Sequence, residues 1–173
     1  FDCKPIHCIL KTNFLTIALA ALIPLIIGFI WYGPLLFQKP WMKQLGLKKE
    51  SLKEKNAILI FTLSYVFSFF IAFFLQFIVI HQTGVYASML ESGATELSGD
   101  TLAYYTDFMA KYGANYRTFK HGALHGVLAG LFLVLPILAS QSIFERKSVK
   151  YVAINAGYWV VTMALMGGII CQW

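Results

Sequence analysis

The sequence predicts an all-α membrane fold, a bundle of four transmembrane helices built as two hairpins. Three observations predict it. The 173 residues are 58% hydrophobic and only 13% charged, with a mean hydropathy of +0.67, a balance outside that of soluble domains. Four runs supply the roughly 20 apolar residues that a helix needs to cross a hydrocarbon core. None of them alternates as a barrel strand would, so helices are the way to satisfy their backbone groups in lipid.

Phe1–Thr12 lacks the basic, apolar and small-residue order of a signal peptide and reads as a short tail ahead of one membrane domain, residues 13–173. The first span is expected over Asn13–Phe37, with Pro24 permitting a bend and Trp31, Tyr32 and Trp41 forming an interfacial aromatic belt. The second is expected over Ala57–Ile80. Ser51-Leu52-Lys53-Glu54 has capping-box spacing, which starts that helix about a turn early. The third runs over Phe119–Phe144 and contains Pro136; the fourth covers Tyr151–Cys171. In the central connection, Leu102, Tyr105, Met109 and Tyr112 share one helical face and Gly113 can end the helix, so a short amphipathic helix is expected there, lying on the outer surface or, alternatively, over the bundle as a lid.

Charge sets the orientation. Nine of the 14 basic residues fall in two short connections: Lys39, Lys43, Lys48, Lys49, Lys53 and Lys55 in Gln38–Asn56, and Arg146, Lys147 and Lys150 before the fourth span. By the positive-inside rule both connections are cytoplasmic, and both termini and the central loop lie outside. The net charge of +6 thus reports topology rather than a nucleic-acid face, and the lipid bilayer is the first partner.

Gly122, Gly126 and Gly130 recur at every fourth position, a spacing that lets a neighbouring helix approach closely. Ala153, Gly157, Ala164 and Gly168 offer a matching stripe on the fourth span. Packing within the second hairpin is the simplest use of both, and a seam in a homo-oligomer or larger membrane complex is the other. Ser64, Ser68, Gln76, His125, Asn155 and Thr162 are the polar groups available to the bundle interior, as interhelical glue or as a solute path.

His121 and His125 stand one turn apart and are weak candidates for a metal or haem. The expected reading is a polar lip at the outer end, with no metal and no cofactor. His7, His81, Cys3, Cys8 and Cys171 also fall toward that end, but nothing in the sequence fixes them near the pair. No nucleophile elbow, phosphate loop or paired carboxylate is present, so a non-enzymatic role is expected: an accessory or structural subunit acting through helix association, alternatively a small oligomeric transporter or channel, and third a metal- or haem-binding protein.

The segments GFIWYGPLLFQKPWMKQLG, HGALHGVLAGLFLVLPILA and INAGYWVVTMALMGGII resemble the small bacterial integral membrane proteins grouped as domain of unknown function 1761. That resemblance implies four membrane helices with a WYGP turn after the first and a place in the bacterial plasma membrane; it implies no activity.

Overall fold

The computed structural model describes residues 13–47 and 56–173, and every regular element among them is helical. In chain order these are α1 (Phe14–Ala20), α2 (Ile23–Trp31), α3 (Gln38–Leu45), α4 (Ala57–Val79), α5 (Gln82–Met89), α6 (Gly99–Tyr112), α7 (Phe119–Ala129), a π-helical turn (Gly130–Val134), α8 (Leu135–Phe144) and α9 (Val149–Gln172). Four continuous stretches are long and apolar enough to cross a bilayer: Phe14–Trp31, Ala57–Val79, Phe119–Phe144 and Val149–Gln172.

The first span is shorter than its apolar run. Pro24 has no N–H to give the preceding turn, so the helix breaks at Ala21 and Leu22 and restarts as α2. It ends at Trp31 rather than Phe37. The residue before a proline avoids helical geometry, and here Gly33-Pro34 turns the chain, with the Phe37 N–H bonded back to the Trp31 carbonyl at 2.9 Å. Asn13 caps α1 through its side chain and Ser148 caps α9 through its hydroxyl, so the fourth span begins two residues earlier than its apolar run suggests. The capping box at Ser51 lies outside the described residues.

Helix α9 is the central pillar. Over half of its most apolar window is buried, against 17% for α4 and 11% for the third span. Ile17, Ala20, Ala72, Leu75, Met163 and Met166 pack in the core around it. The glycines on α7 make the closest approach: a Cβ on Gly122 would strike the Gly167 carbonyl and Cys171, one on Gly126 would strike the Met163 carbonyl, and one on Gly130 would meet Val160. Lower down the third span the packing opens. The π turn adds a residue to one helical turn, and at its level an apolar cleft of about 470 Å³ lies between the third span and α4, lined by Phe70, Phe74, Leu133 and Ile137 among others. Phe61, Phe67, Phe70, Phe74 and Phe77 are each more than half exposed on α4, a face suited to hydrocarbon rather than water.

The central connection holds two helices where the sequence suggested one. The apolar face of α6 does not lie free on a surface: Tyr105 and Met109 are buried with Leu97 and pack on Val85, Tyr86 and Met89 of α5. Tyr112, expected on that face, is exposed. Helix α5 lacks an amphipathic pattern, which is why the sequence concealed it.

Candidate metal centre

Helix α4 delivers His81 two residues past its end, and the start of α7 delivers His121 and His125. The His81 Nε2 lies 2.8 Å from the Nε2 of His121 and 3.2 Å from the Nε2 of His125. The ligand atoms of all three fall within 4.8 Å of one another; His81 is exposed and the other two are half-buried. The rings meet edge to face, with centroids 4.5–5.0 Å apart.

Local chemistry holds the chain at His81 and His121. The His81 carbonyl accepts the first turn of α5 from the Gly84 and Val85 N–H groups. The next side chain, Gln82, is buried and donates to the carbonyls of Gly113 (2.8 Å) and Asn115 (3.0 Å), which pins the end of α4 to the segment leading into α7. Thr118 caps α7, its hydroxyl accepting from the His121 N–H. The Tyr116 ring lies against His121, centroids 5.1 Å apart. Arg117 is half-buried beside this segment, and burial pulls its guanidinium below the ordinary arginine range.

Hydrogen bonding alone does not complete the arrangement. An imidazole nitrogen offers in its ring plane either one proton or one lone pair, yet the His81 Nε2 faces two others. One N–H satisfies one contact and leaves the second without a proton of its own. A cation among the three nitrogens turns all three lone pairs into ligands. At a zinc–nitrogen distance of about 2.0–2.1 Å, tetrahedral ligands stand about 3.3 Å apart; the His81–His125 separation is close to that, the His81–His121 pair needs a small opening, and the His121 and His125 nitrogens stand within 4.8 Å of each other.

The remaining sequence candidates are dispersed. Gly168 packs on the Phe119 ring and Gly157 on Trp31, while Ala153 is exposed. The α9 side of the seam therefore runs through Val160, Met163, Ala164, Gly167 and Cys171, with Gly168 against Phe119 at the start of α7: the Ala164 and Gly168 half of the stripe meets α7, and the Ala153 and Gly157 half does not. Ser68, Gln76 and Thr162 are buried in the core, with the Gln76 Nε2 and Thr162 Oγ1 lacking partners; Ser64 is half-buried. Asn155 lies at the opposite end, accepting from the Tyr32 hydroxyl at 2.8 Å and donating to the Tyr151 carbonyl. His7, Cys3 and Cys8 lie outside the described residues.

The class these features define is a four-span helical bundle carrying a histidine cluster at the end of the bundle opposite Asn155. The chain belongs to the family described as protein of unknown function (DUF1761), which matches residues 15–171. No curated protein and no solved structure matches it.

Proposed function

We propose that this protein is an integral membrane protein that binds a zinc-class divalent cation through His81, His121 and His125, on the outer side of a bacterial plasma membrane. The convergence of three imidazole nitrogens from two separate chain segments carries the reading. Three neutral nitrogen ligands suit zinc and its transition-metal neighbours rather than calcium or magnesium, which take oxygen. Because the ligands come from the end of α4 and the start of α7, a bound cation clamps one hairpin to the other. The exposure of His81 leaves a route in from solution and room for a further ligand.

The helix-association reading draws less support, since the glycines that suggested a partner seam are filled by α9 of the same chain. The transporter reading meets an apolar cleft beside α4 where it calls for a polar passage.

Protein purified in mild detergent is expected to hold about one equivalent of metal, and cobalt(II) is expected to give the visible bands of a tetrahedral nitrogen site. Background metal together with a featureless cobalt titration sinks the proposal. Orientation is tested separately: in intact cells an impermeant thiol reagent should label cysteines introduced at 91–107 and spare those at 145–150, and the reverse pattern places the histidines inside.

A further inference from the structure

Cys171 sits in the last turn of α9, fully buried. Its Sγ lies 3.3 Å from the Val79 carbonyl and 3.3 Å from the Tyr116 carbonyl. Val79 closes α4 two residues before His81, and Tyr116 stands five residues before His121. One side chain therefore touches both segments that present the imidazoles.

The second of those segments is held in an unfavourable conformation. Tyr116 has φ 62°, in the left-handed region that a residue with a Cβ occupies only where its surroundings fix it. In this conformation its ring reaches His121. Its carbonyl receives the Thr118 N–H at 2.9 Å as well as the thiol, and Thr118 in turn caps the His121 N–H. A path of contacts thus runs from Cys171 through Tyr116 and Thr118 to His121, and a shorter one runs through Val79 to His81. On its other side Cys171 presses its Cβ toward the Gly122 backbone, where no side chain fits, so the thiol cannot shift toward α7.

We propose that Cys171 is the positioning residue of the cation site: its thiol, shared between the Val79 and Tyr116 carbonyls, sets the separation of His81 from His121 and His125. The thiol itself is not a ligand, since it does not join the group of converging nitrogens. A thiol is a weak donor, so its main contribution is placement. This inference rests on the metal reading above.

The test is cobalt(II) affinity, followed by the visible bands in detergent-purified full-length protein, for wild type, Cys171→Ala and Cys171→Ser. Cys171→Ala should weaken cobalt by about 10–100-fold, the range found when partners that orient metal ligands are removed. Cys171→Ser, which keeps a donor, should recover most of that loss. In metal-free protein, amide exchange at Thr118–Gly122 should quicken in the alanine variant and stay near wild type in the serine variant. Should the alanine variant not fold, Cys171→Val fills the space without a donor and takes its place. Unchanged cobalt affinity and unchanged exchange without the thiol overturn the proposal, as does a sulfur-to-cobalt charge-transfer band in wild type, which makes Cys171 a ligand. Absence of cobalt binding in wild type is a different result: it removes the metal reading, and this inference with it, whereas failure of the positioning role alone leaves wild type and Cys171→Ala binding equally.

Discussion

The two ends of the bundle treat their polar groups in opposite ways. At the lysine-rich end, four side-chain groups that enter the packing find partners. The Trp31 indole donates to the Ile154 carbonyl (3.0 Å), the Tyr32 hydroxyl to Asn155 (2.8 Å), the Asn155 amide to the Tyr151 carbonyl (2.8 Å), and the Tyr158 hydroxyl to the Pro24 carbonyl (2.9 Å). Each of these donors has an acceptor, and the rings of Tyr32, Trp41 and Tyr158 close around them. At the histidine end, the His81 nitrogen faces two others with a single proton or lone pair to offer, so whichever tautomers are present it cannot give both contacts a full hydrogen bond. A balanced network needs nothing further and fixes structure; an unbalanced one near solvent has a place for a ligand. The comparison sets an anchored end against the end proposed to hold a cation.

The largest expected effect breaks both ends together. Gly126→Leu puts a side chain where the Met163 backbone already lies, and should cost a few kcal/mol by forcing α7 off α9; melting in detergent by light scattering measures it. His81→Ala should affect one end only. Removing a ligand should weaken cobalt(II) by more than about 100-fold, beyond what loss of an orienting partner does, while the metal-free melting temperature stays near wild type. A large drop in metal-free stability would make the cluster an anchor like its counterpart and erase the contrast.

Tyr32→Phe tests the anchored end. It removes one hydrogen bond and should cost about 1 kcal/mol, with no change in cobalt affinity. Burial, reinforced by Tyr158 and Tyr151, pushes the Tyr32 phenol above the ordinary tyrosine range. The unfolded chain therefore loses this proton at lower pH than the folded one, so the stability the group contributes is complete at neutral pH and declines as pH rises through and beyond the tyrosine range; alkaline melting curves compared with Tyr32→Phe isolate that decline. The smallest effect belongs to Tyr105→Phe in the α5–α6 pair. The Tyr105 hydroxyl is buried with no partner among the described residues, so removing it should change stability by no more than about 0.5 kcal/mol, and in the stabilising direction. A clear loss in chemical denaturation would reveal a partner that the structure does not hold.

The spans were legible because their signal is local: some twenty apolar residues in a row declare a helix whatever it packs against. The ends of the spans were less so. Trp31 ends the first span through the turn at Gly33-Pro34, a backbone effect that the apolar character of Leu35, Leu36 and Phe37 hides. The glycine spacing on α7 was plain, but its counterpart on α9 was only half so: Ala164 and Gly168 meet α7 as the stripe suggested, while Val160, Met163 and Gly167 bring backbone to the seam without following that spacing. His121 and His125 stood out by their i, i+4 spacing, whereas His81 is 40 residues away and reaches them only through the crossing of α4 and α7 and the bonds of Gln82. Gln82 beside His81 was the available clue, a long amide directly after an apolar run. The left-handed Tyr116 and the thiol bridging Val79 to Tyr116 carry no sequence signal, since both depend on where a loop is led by distant packing.

The π turn at Gly130–Val134 acts as a phase shifter in the third span. Above it, three glycines keep α7 in step with α9; below it, one surplus residue has rotated every later side chain by about 100°, so α8 meets α9 on a different face of its own helix and without the glycines. Deleting a single residue there would turn α8 back into register without altering composition or length of contact above it. The third span is thus two instruments on one axis, the upper half tuned to the histidines and the lower half free to answer to the lipid beside it.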